Sequence, residues 1–348
     1  MVTIRDVARE AGVSTATVSR ALNQARLVTE KTRRRVLEAV QRLDYRPNAV
    51  ARGLSTRKTR TIGLVVSDIM NPFYPEVARG VEDVTGKSGY SVILCNTDRD
   101  PAKEAAYINL LLEKRVQGVV FASLPEAGSL LEALDRSSVP WISAGNAPSS
   151  GDYDCVAVDN VLGAYLAAEH LLKLGHTRIA HITGPLHEPV TRERLEGFRR
   201  AAAEYGLDPG ALPVVEADYK QEGGYTATLE LFDSGRPVTA VFAGNDLMAI
   251  GALEAAHERG LRVPGDLAIV GFDDISIAGL HTIQLTTVAQ PKAEIGRLAA
   301  EMLLERIEHP SPEGRGPNKV VLPPRLVVRR TCGAQTGRFA AAPRIGSV

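Results

Sequence analysis

The chain has 348 residues, which is enough for more than one domain, and 44% of them are hydrophobic, as in an ordinary folded protein. No apolar run reaches the length of a transmembrane helix, and the polar N-terminus does not resemble a signal peptide. Cys95, Cys155 and Cys332 are far apart, odd in number and lack C-x-x-C spacing, which favours buried small hydrophobic residues for the first two and a reducing cytoplasm. We therefore expect a cytoplasmic protein with no membrane segment.

Charge is distributed unevenly along the chain, although 41 basic and 41 acidic residues cancel overall. Residues 1–60 contain 14 Lys and Arg against 5 Asp and Glu, whereas residues 61–348 contain 27 against 36. A concentrated basic module attracts phosphate, while an acidic remainder gives no general affinity for polyanions. The N-terminal segment is therefore the candidate for binding nucleic acid.

The first 43 residues predict three short helices. Thr3 begins the first, Ser14 caps the second after a glycine turn, and Thr29 and Glu30 begin the third. The predicted inward-facing residues are Val7, Ala8, Ala11, Val18, Ala21, Leu22, Val36, Leu37, Val40 and Leu43. Two helices joined by a glycine turn are typical of a helix-turn-helix, whose second helix enters the major groove, but any small three-helix bundle is an alternative.

A conditional helix is predicted directly after this module. Pro47 and Asn48 can start it, and Ala49 to Leu54 spans about two turns, too short for stability in water alone. An exposed leucine at its end suits a wedge in the minor groove that orders on DNA. A polar linker is the alternative interpretation.

From Thr61 onward, short apolar runs alternate with helical stretches. The runs are TIGLVVS, YSVILCN, QGVVFAS, PWISA, CVAVD, RIAHIT, TAVFAG and LAIVGF. This alternation predicts doubly wound parallel sheets in two similar α/β lobes. A cleft between the carboxyl ends of their strands is the expected place for a small ligand.

The order T-I-x-D-V-A-x-x-A-G-V-S-x-x-T-V-S-R-x-L-N, followed by Y-x-P-N-x-x-A-R-x-L, resembles the LacI/GalR family of bacterial transcription regulators. The resemblance continues to about Cys332. It implies an α/β protein in which a small all-α helix-turn-helix headpiece and a hinge helix precede a two-lobed core like the periplasmic binding proteins. The implied segments are 1–46 for the headpiece, 47–60 for the hinge, 61–332 for the core and 333–348 for a disordered tail. Lobe 1 is 61–160 with 290–322, and lobe 2 is 161–289 with 323–332.

The resemblance also assigns residues that contact DNA. Thr15, Ala16 and Arg20 take base-reading positions, and Leu54 takes that of the intercalating leucine. The forked guanidinium of Arg20 suits the two acceptors of a guanine. Expected backbone contacts, which position the protein without reading sequence, come from Ser14, Thr17, Ser19, Asn23 and Tyr45.

Effector residues are expected where strands end. Aromatic faces stack on sugar C–H faces, a guanidinium donates to vicinal hydroxyls, and a carboxylate accepts from them. Asp68, Asn71, Phe73 and Tyr74 follow the first strand of the core, and the resemblance places Arg194, Tyr219, Asn245 and Asp273 at effector-binding positions. Asn146, Arg192 and Gln290 are further expected effector residues, and Asp246 is expected to cap a helix. Purine-sensing relatives carry arginine and threonine where this chain has Glu188 and Val190, which favours a sugar.

The sequence therefore predicts a repressor of carbohydrate-metabolism genes whose affinity for a pseudo-palindromic double-stranded DNA operator depends on a small effector. It predicts a homodimer and no cofactor, metal or catalytic activity, since P-loop, G-x-S-x-G and H-E-x-x-H motifs are missing. Induction and corepression both remain open. A sugar-binding protein without DNA activity is the competing hypothesis, and the basic headpiece argues against it.

Overall fold

The computed structural model describes residues 2–23, 27–45, 59–124, 128–145, 153–310 and 316–334. The chain divides into two compact units, Met1–Arg60 and Thr61–Val348. The predicted hinge helix with Leu54, the candidate Asn146 and the tail after residue 334 lie outside the described residues.

The first unit contains three helices whose starts agree with the sequence. They are α1 (Ile4–Glu10), α2 (Thr15–Asn23) and α3 (Glu30–Arg42). The Asp6 carboxylate accepts hydrogen bonds from the backbone and the hydroxyl of Thr3, at 3.0 and 2.7 Å. Ser14 Oγ accepts from the Thr17 backbone at 3.1 Å, so polar caps fix where the helices begin.

The core of this unit is small and made largely of valine and alanine. Val7, Val18 and Val36 are completely buried. The prediction for Leu37 is wrong, because its side chain is 42% exposed and Ala39 is buried instead. Positions 36, 39, 40 and 43 follow the helical i, i+3, i+4, i+7 spacing, and position 37 falls outside that stripe.

The second unit contains twelve strands and eight further α-helices among the described residues. The strands are β1 (Thr61–Val66), β2 (Ser91–Asn96), β3 (Gly118–Phe121), β4 (Trp141–Gly145), β5 (Cys155–Val158), β6 (Ile179–Thr183), β7 (Val214–Glu216), β8 (Ala240–Ala243), β9 (Ala268–Asp273), β10 (Thr286–Ala289), β11 (Lys319–Leu322) and β12 (Arg325–Val327). The helices are α4 (Phe73–Lys87), α5 (Pro101–Glu113), α6 (Gly128–Ser137), α7 (Asn160–Lys173), α8 (Pro189–Glu204), α9 (Gln221–Asp233), α10 (Asp246–Glu258) and α11 (Lys292–Glu308), with a 3₁₀ turn at Ser276–Gly279.

The strands form two six-stranded sheets, as the alternating pattern predicted. Their orders are β11-β5-β4-β3-β1-β2 and β12-β10-β9-β8-β6-β7. All pairings are parallel except β10 with β12, which is antiparallel and closes one edge of the second sheet. The strands β1, β3, β8 and β9 are almost entirely buried, as expected for a sheet covered by helices on both faces.

The chain passes between the two sheets three times. It leaves β5 at Val158 and enters α7, which packs against β9 and β10 of the second sheet. It returns between β10 and α11, which packs against the first sheet and α4, and it crosses again between β11 and β12. A Cβ atom at Gly80 or Gly296 would lie 2.2 or 2.0 Å from backbone of the facing helix, so the close contact of α4 with α11 requires glycine. Three connections make two lobes that share one cleft.

No helix among the described residues is long and apolar enough to cross a bilayer.

Candidate functional site

The second helix of the N-terminal unit presents an exposed face. Val18 and Ala21 are buried against the other two helices, while Thr15, Ala16 and Arg20 are exposed. The Arg35 guanidinium of α3 donates to the carbonyls of Ala11 and Gly12, which holds α3 against the turn before α2. A helix anchored in this way offers its exposed side chains to a groove.

The expected phosphate contacts lie around the same helix. Ser14 is exposed at its N-terminus, and its hydroxyl lies 2.9 Å from that of Thr17. Thr17, Ser19 and Tyr45 are half-buried, and Asn23 is the last residue of α2. Hydroxyls and backbone N–H groups at a helix start suit an anionic phosphate.

The cleft of the second unit is formed by residues that follow strand ends in both lobes. The cavity among these residues has a volume of about 50 Å³ and opens to solvent. Its lining consists of Asn71, Phe73, Tyr74, Arg99, Ala122, Ser123, Gly145, Glu188, Val190, Arg194, Tyr219, Asn245, Asp273 and Gln290. Eight of the eleven expected effector residues are in this set.

Arg194 is held by two hydrogen bonds and one aromatic contact. Its Nε donates to Asn160 Oδ1 at 3.0 Å and its Nη1 to the Gly244 carbonyl at 2.5 Å. The guanidinium carbon lies 3.8 Å from the centroid of the Phe272 ring, and the residue is 7% exposed. Such a held guanidinium can direct its remaining N–H groups to a ligand with little loss of entropy.

Asp273 ends β9 and is the acidic group of the cleft. Its Oδ1 accepts from Gln290 Nε2 at 2.7 Å, and its carbonyl accepts from Lys292 Nζ at 2.8 Å. Burial raises the pKa of Asp273 to about 6, against the opposing charge of Arg194 and the hydrogen bond from Gln290. The carboxylate is therefore mostly ionised at pH 7.5 and can accept from ligand hydroxyls.

Aromatic rings form two walls of the cleft. Phe73 and Tyr74 meet edge to face with centroids 5.2 Å apart, and the Tyr74 hydroxyl lies 2.5 Å from Ser67 Oγ. Tyr219 lies in the other lobe, with its hydroxyl 2.6 Å from Thr191 Oγ1. Rings held at both ends of a small cleft suit a ligand with flat apolar faces.

An ion pair crosses the cleft. Arg99 follows β2 in the first lobe, and its Nε lies 2.8 Å from Glu188 Oε1, at the start of α8 in the second lobe. The Arg99 guanidinium also lies 5.1 Å from the centroid of the Tyr219 ring. The pair joins the two lobes directly.

Three non-glycine residues of the lining have backbones with positive φ angles. The φ angles are +58° at Arg99, +65° at Tyr219 and +115° at Asp273. Such values are uncommon outside glycine, and this kind of strain concentrates where a fold must aim a side chain. The structure aims all three at the cleft.

Two expected effector residues lie elsewhere, and the interpretation is corrected for them. Asp68 Oδ1 accepts from the Met70 backbone at 2.9 Å in the turn after β1. Arg192 is exposed, and its guanidinium donates to the carbonyls of Leu186 and His187. Both side chains hold local turns and do not line the cleft.

The sequence predicted Asp246 as the cap of α10, but the structure shows that the cap is Asn245. Asn245 Oδ1 accepts from the Met248 backbone at 2.9 Å, and its Nδ2 donates to the Tyr219 carbonyl at the same distance. Asp246 is completely buried and accepts from the Ile275 backbone at 2.8 Å and from the Thr287 hydroxyl. Burial, with the nearby charge of Asp273, raises the pKa of Asp246 well above its usual range.

Sequence reasoning missed Arg99. The signal was available, because Arg99 follows the end of β2 as Asn71 follows the end of β1. Its run Thr97–Asp100 contains several charged residues, a composition that is also typical of a solvated loop.

Among the described residues, no group of three or more His, Cys, Asp and Glu side chains could hold a metal ion.

A helix-turn-helix unit and a two-lobed core with a polar and aromatic cleft together define a ligand-responsive DNA-binding regulator. Residues 3–48 match the family described as bacterial regulatory proteins, lacI family, and residues 168–332 match the periplasmic binding protein-like domain.

The chain is similar in sequence to curated relatives over most of its length. Catabolite control protein A of Priestia megaterium is 42% identical over 303 residues, covering 87% of this chain and 91% of that protein. The ribose operon repressor of Escherichia coli K12 is 41% identical, covering 89% and 94%.

The fold is also similar to that of solved regulator structures. The lac repressor dimer bound to operator and an anti-inducer has a TM-score of 0.84 at 30% identity, covering 95% of this chain and 99% of that one. A regulator from Enterococcus faecium with bound ribose has a TM-score of 0.71 at 35% identity, covering 78% and 98%. The chain belongs to the lacI family of bacterial regulatory proteins. It is a DNA-binding transcriptional regulator and not an enzyme.

Proposed function

We propose that this protein is a repressor of carbohydrate-metabolism genes that senses a small sugar in the cleft between its lobes. The observation that carries the proposal is the arrangement of Arg194 and Asp273. One offers donors and the other acceptors, both are buried, and both are held by neighbouring groups. A molecule with vicinal hydroxyls matches both at once.

The walls of the cleft support a sugar over a purine. Phe73 and Tyr219 can cover the apolar faces of a sugar ring from opposite lobes. Glu188 and Val190, which replace the arginine and threonine of purine sensors, both line the cleft. Among similar proteins, one represses a ribose operon and one was solved with ribose bound, so D-ribose is the first compound to test.

Effector binding and DNA binding are linked through the lobes in this proposal. Gln290 lies at a crossing between lobes and donates to Asp273, so a ligand that engages Asp273 acts on the connection itself. A change in lobe angle in a homodimer would move the two hinge segments, 47–60, relative to each other on a pseudo-palindromic operator. The coupling must be reciprocal, whether the sugar induces or corepresses.

The remaining assignments of the sequence stand as part of the proposal. The headpiece spans 1–46 and the core 61–332, with the base contacts Thr15, Ala16, Arg20 and Leu54. The protein acts in the bacterial cytoplasm, on the nucleoid when bound to its operator.

The test is thermal unfolding of the full chain against aldoses, polyols, nucleosides and nucleobases. A ligand at about one hundred times its Kd adds roughly 2.7 kcal/mol of stability. We expect an aldose to raise Tm and to change affinity for an operator selected from random DNA. A nucleobase as the best ligand would contradict the proposal.

A further inference from the structure

The ion pair between Arg99 and Glu188 affects which ligand charges the cleft can accept. Arg99 and Glu188 come from different lobes, and their side chains are only 23% and 20% exposed. Their 2.8 Å contact is a direct hydrogen bond between full charges. An ion pair shielded from water on most sides is stronger than one on an open surface.

The Glu188 side chain contacts Arg99 and makes no hydrogen bond to the start of its own helix. Glu188 is the N-cap residue of α8, yet its carboxylate makes no capping hydrogen bond to the helix. The carboxylate points instead to Arg99, 89 positions earlier in the chain. Its role is therefore found in the cleft and not in the helix start.

The charged groups that line the cleft balance each other. They are Arg99, Arg194, Glu188 and Asp273, two positive and two negative. Glu188 neutralises Arg99, and the charge of Arg194 is opposed by that of Asp273, whose pKa it lowers. An anionic ligand would lose its hydration on entering a cleft whose lining carries no net positive charge, a cost that an uncharged ligand does not incur.

We propose that Glu188 is a specificity residue that makes the cleft select uncharged aldoses against the corresponding sugar acids and sugar phosphates. It does so by cancelling the charge of Arg99, which would otherwise bind a carboxylate or phosphate. This inference rests on the proposed function and deepens it, because it names the charge class of the effector.

The experiment compares Glu188→Gln with the wild type by isothermal titration calorimetry at pH 7.5. The probes are D-ribose and D-ribonate, then D-glucose and D-gluconate and D-ribose 5-phosphate. The quantity measured is the ratio of Kd for the acid to Kd for the aldose, so any general weakening from loss of the bridge between lobes cancels. Glu196→Gln is the matched control, since Glu196 is exposed on α8 and does not line the cleft.

We expect the wild type and Glu196→Gln to prefer the aldose, and Glu188→Gln to shift the ratio by about tenfold toward the acid. An unchanged ratio in Glu188→Gln, or a wild type that prefers the acid or phosphate, would overturn this inference and leave a sugar-type sensor in place. If no aldose, acid or phosphate binds any variant, the proposed function itself falls, and the inference with it.

Discussion

His181 is expected to make the stability of this protein fall in mild acid. The residue lies in β6, is completely buried, and stacks on Phe242 with ring centroids 4.5 Å apart and planes 8° apart. Its Nδ1 donates to the Phe242 carbonyl at 2.9 Å, and its Nε2 has no hydrogen-bond partner among the described residues. Burial lowers the pKa of His181 to about 4, with Arg194 and Arg199 adding repulsion. The neutral ring is thus favoured in the folded state.

The size of the effect follows from this pKa. An unfolded histidine titrates near pH 6.5, and each unit of difference corresponds to about 1.36 kcal/mol. Stability from the neutral ring is complete above pH 6.5 and is lost as the pH falls toward 4, because the unfolded chain then binds the proton first. The total loss is roughly 3 kcal/mol, of which about 2 kcal/mol falls between pH 7.5 and 5.0.

The assay is urea unfolding followed by circular dichroism at fixed protein concentration, for the wild type and His181→Phe, at both pH values. Phenylalanine keeps the stacking but does not titrate, and loss of the Nδ1 hydrogen bond costs about 1 kcal/mol at pH 7.5. We expect the free energy lost between pH 7.5 and 5.0 to be about 2 kcal/mol smaller in the variant. His281→Gln, at an exposed position, should behave as the wild type.

Comparing the two proteins removes the contributions of other groups. The pKa values of His170 and His176 are also lowered by burial, whereas burial raises those of Glu193 and Asp273, which act in the opposite sense. An equal pH dependence in the wild type and His181→Phe would refute the reasoning, since the titrating ring would then contribute nothing.

Two further predictions concern the ligands. Burial raises the pKa of Asp273 in the folded state to about 6, from the usual 3.8. As the pH rises from 3.8 to 6, ionisation of this carboxyl therefore destabilises the folded state increasingly. As the pH falls below 6, the carboxyl becomes protonated and accepts hydrogen bonds from a ligand less well. Sugar affinity should therefore be about tenfold weaker at pH 5 than at pH 7.5, and a flat calorimetric profile would contradict the role of Asp273. Arg20→Ala should cost roughly 1–3 kcal/mol at one base pair of a selected operator, measured by fluorescence anisotropy across single-base variants. A loss spread evenly over all sequences would make Arg20 a phosphate contact.

Local chemistry explains why the helix starts and most strands could be predicted. Thr3, Ser14 and Thr29 cap helices through contacts with residues three positions later. The residues that determine each helix start are therefore neighbours in the sequence. The buried strands are continuous apolar runs, and their alternation with helices implies parallel sheets. The short edge strands β7, β11 and β12 carry no such run and were missed.

The location of the cleft could be predicted from the sequence, but the contacts among its side chains could not. Strand ends located Asn71 and Asp273, because the topology of parallel sheets brings carboxyl ends together, whereas Arg194 was located by the family resemblance. The sequence favoured Arg194 over Arg192 but kept both, and the structure shows that Arg192 holds a turn while Arg194 lines the cleft. Two residues along a helix are separated by about 200° of rotation, and only the packed structure decides which one faces inward.

The sequence by itself determined the order of the modules, the concentration of positive charge in the first sixty residues and the strand ends that form the cleft. Tertiary structure alone decided that Asn245 caps α10 while Asp246 is buried, and that Arg99 pairs with Glu188. Periodicity and capping act over a few residues and are written in the local sequence. Contacts between lobes join positions as far apart as 89 residues, and which pairs meet depends on how both sheets pack.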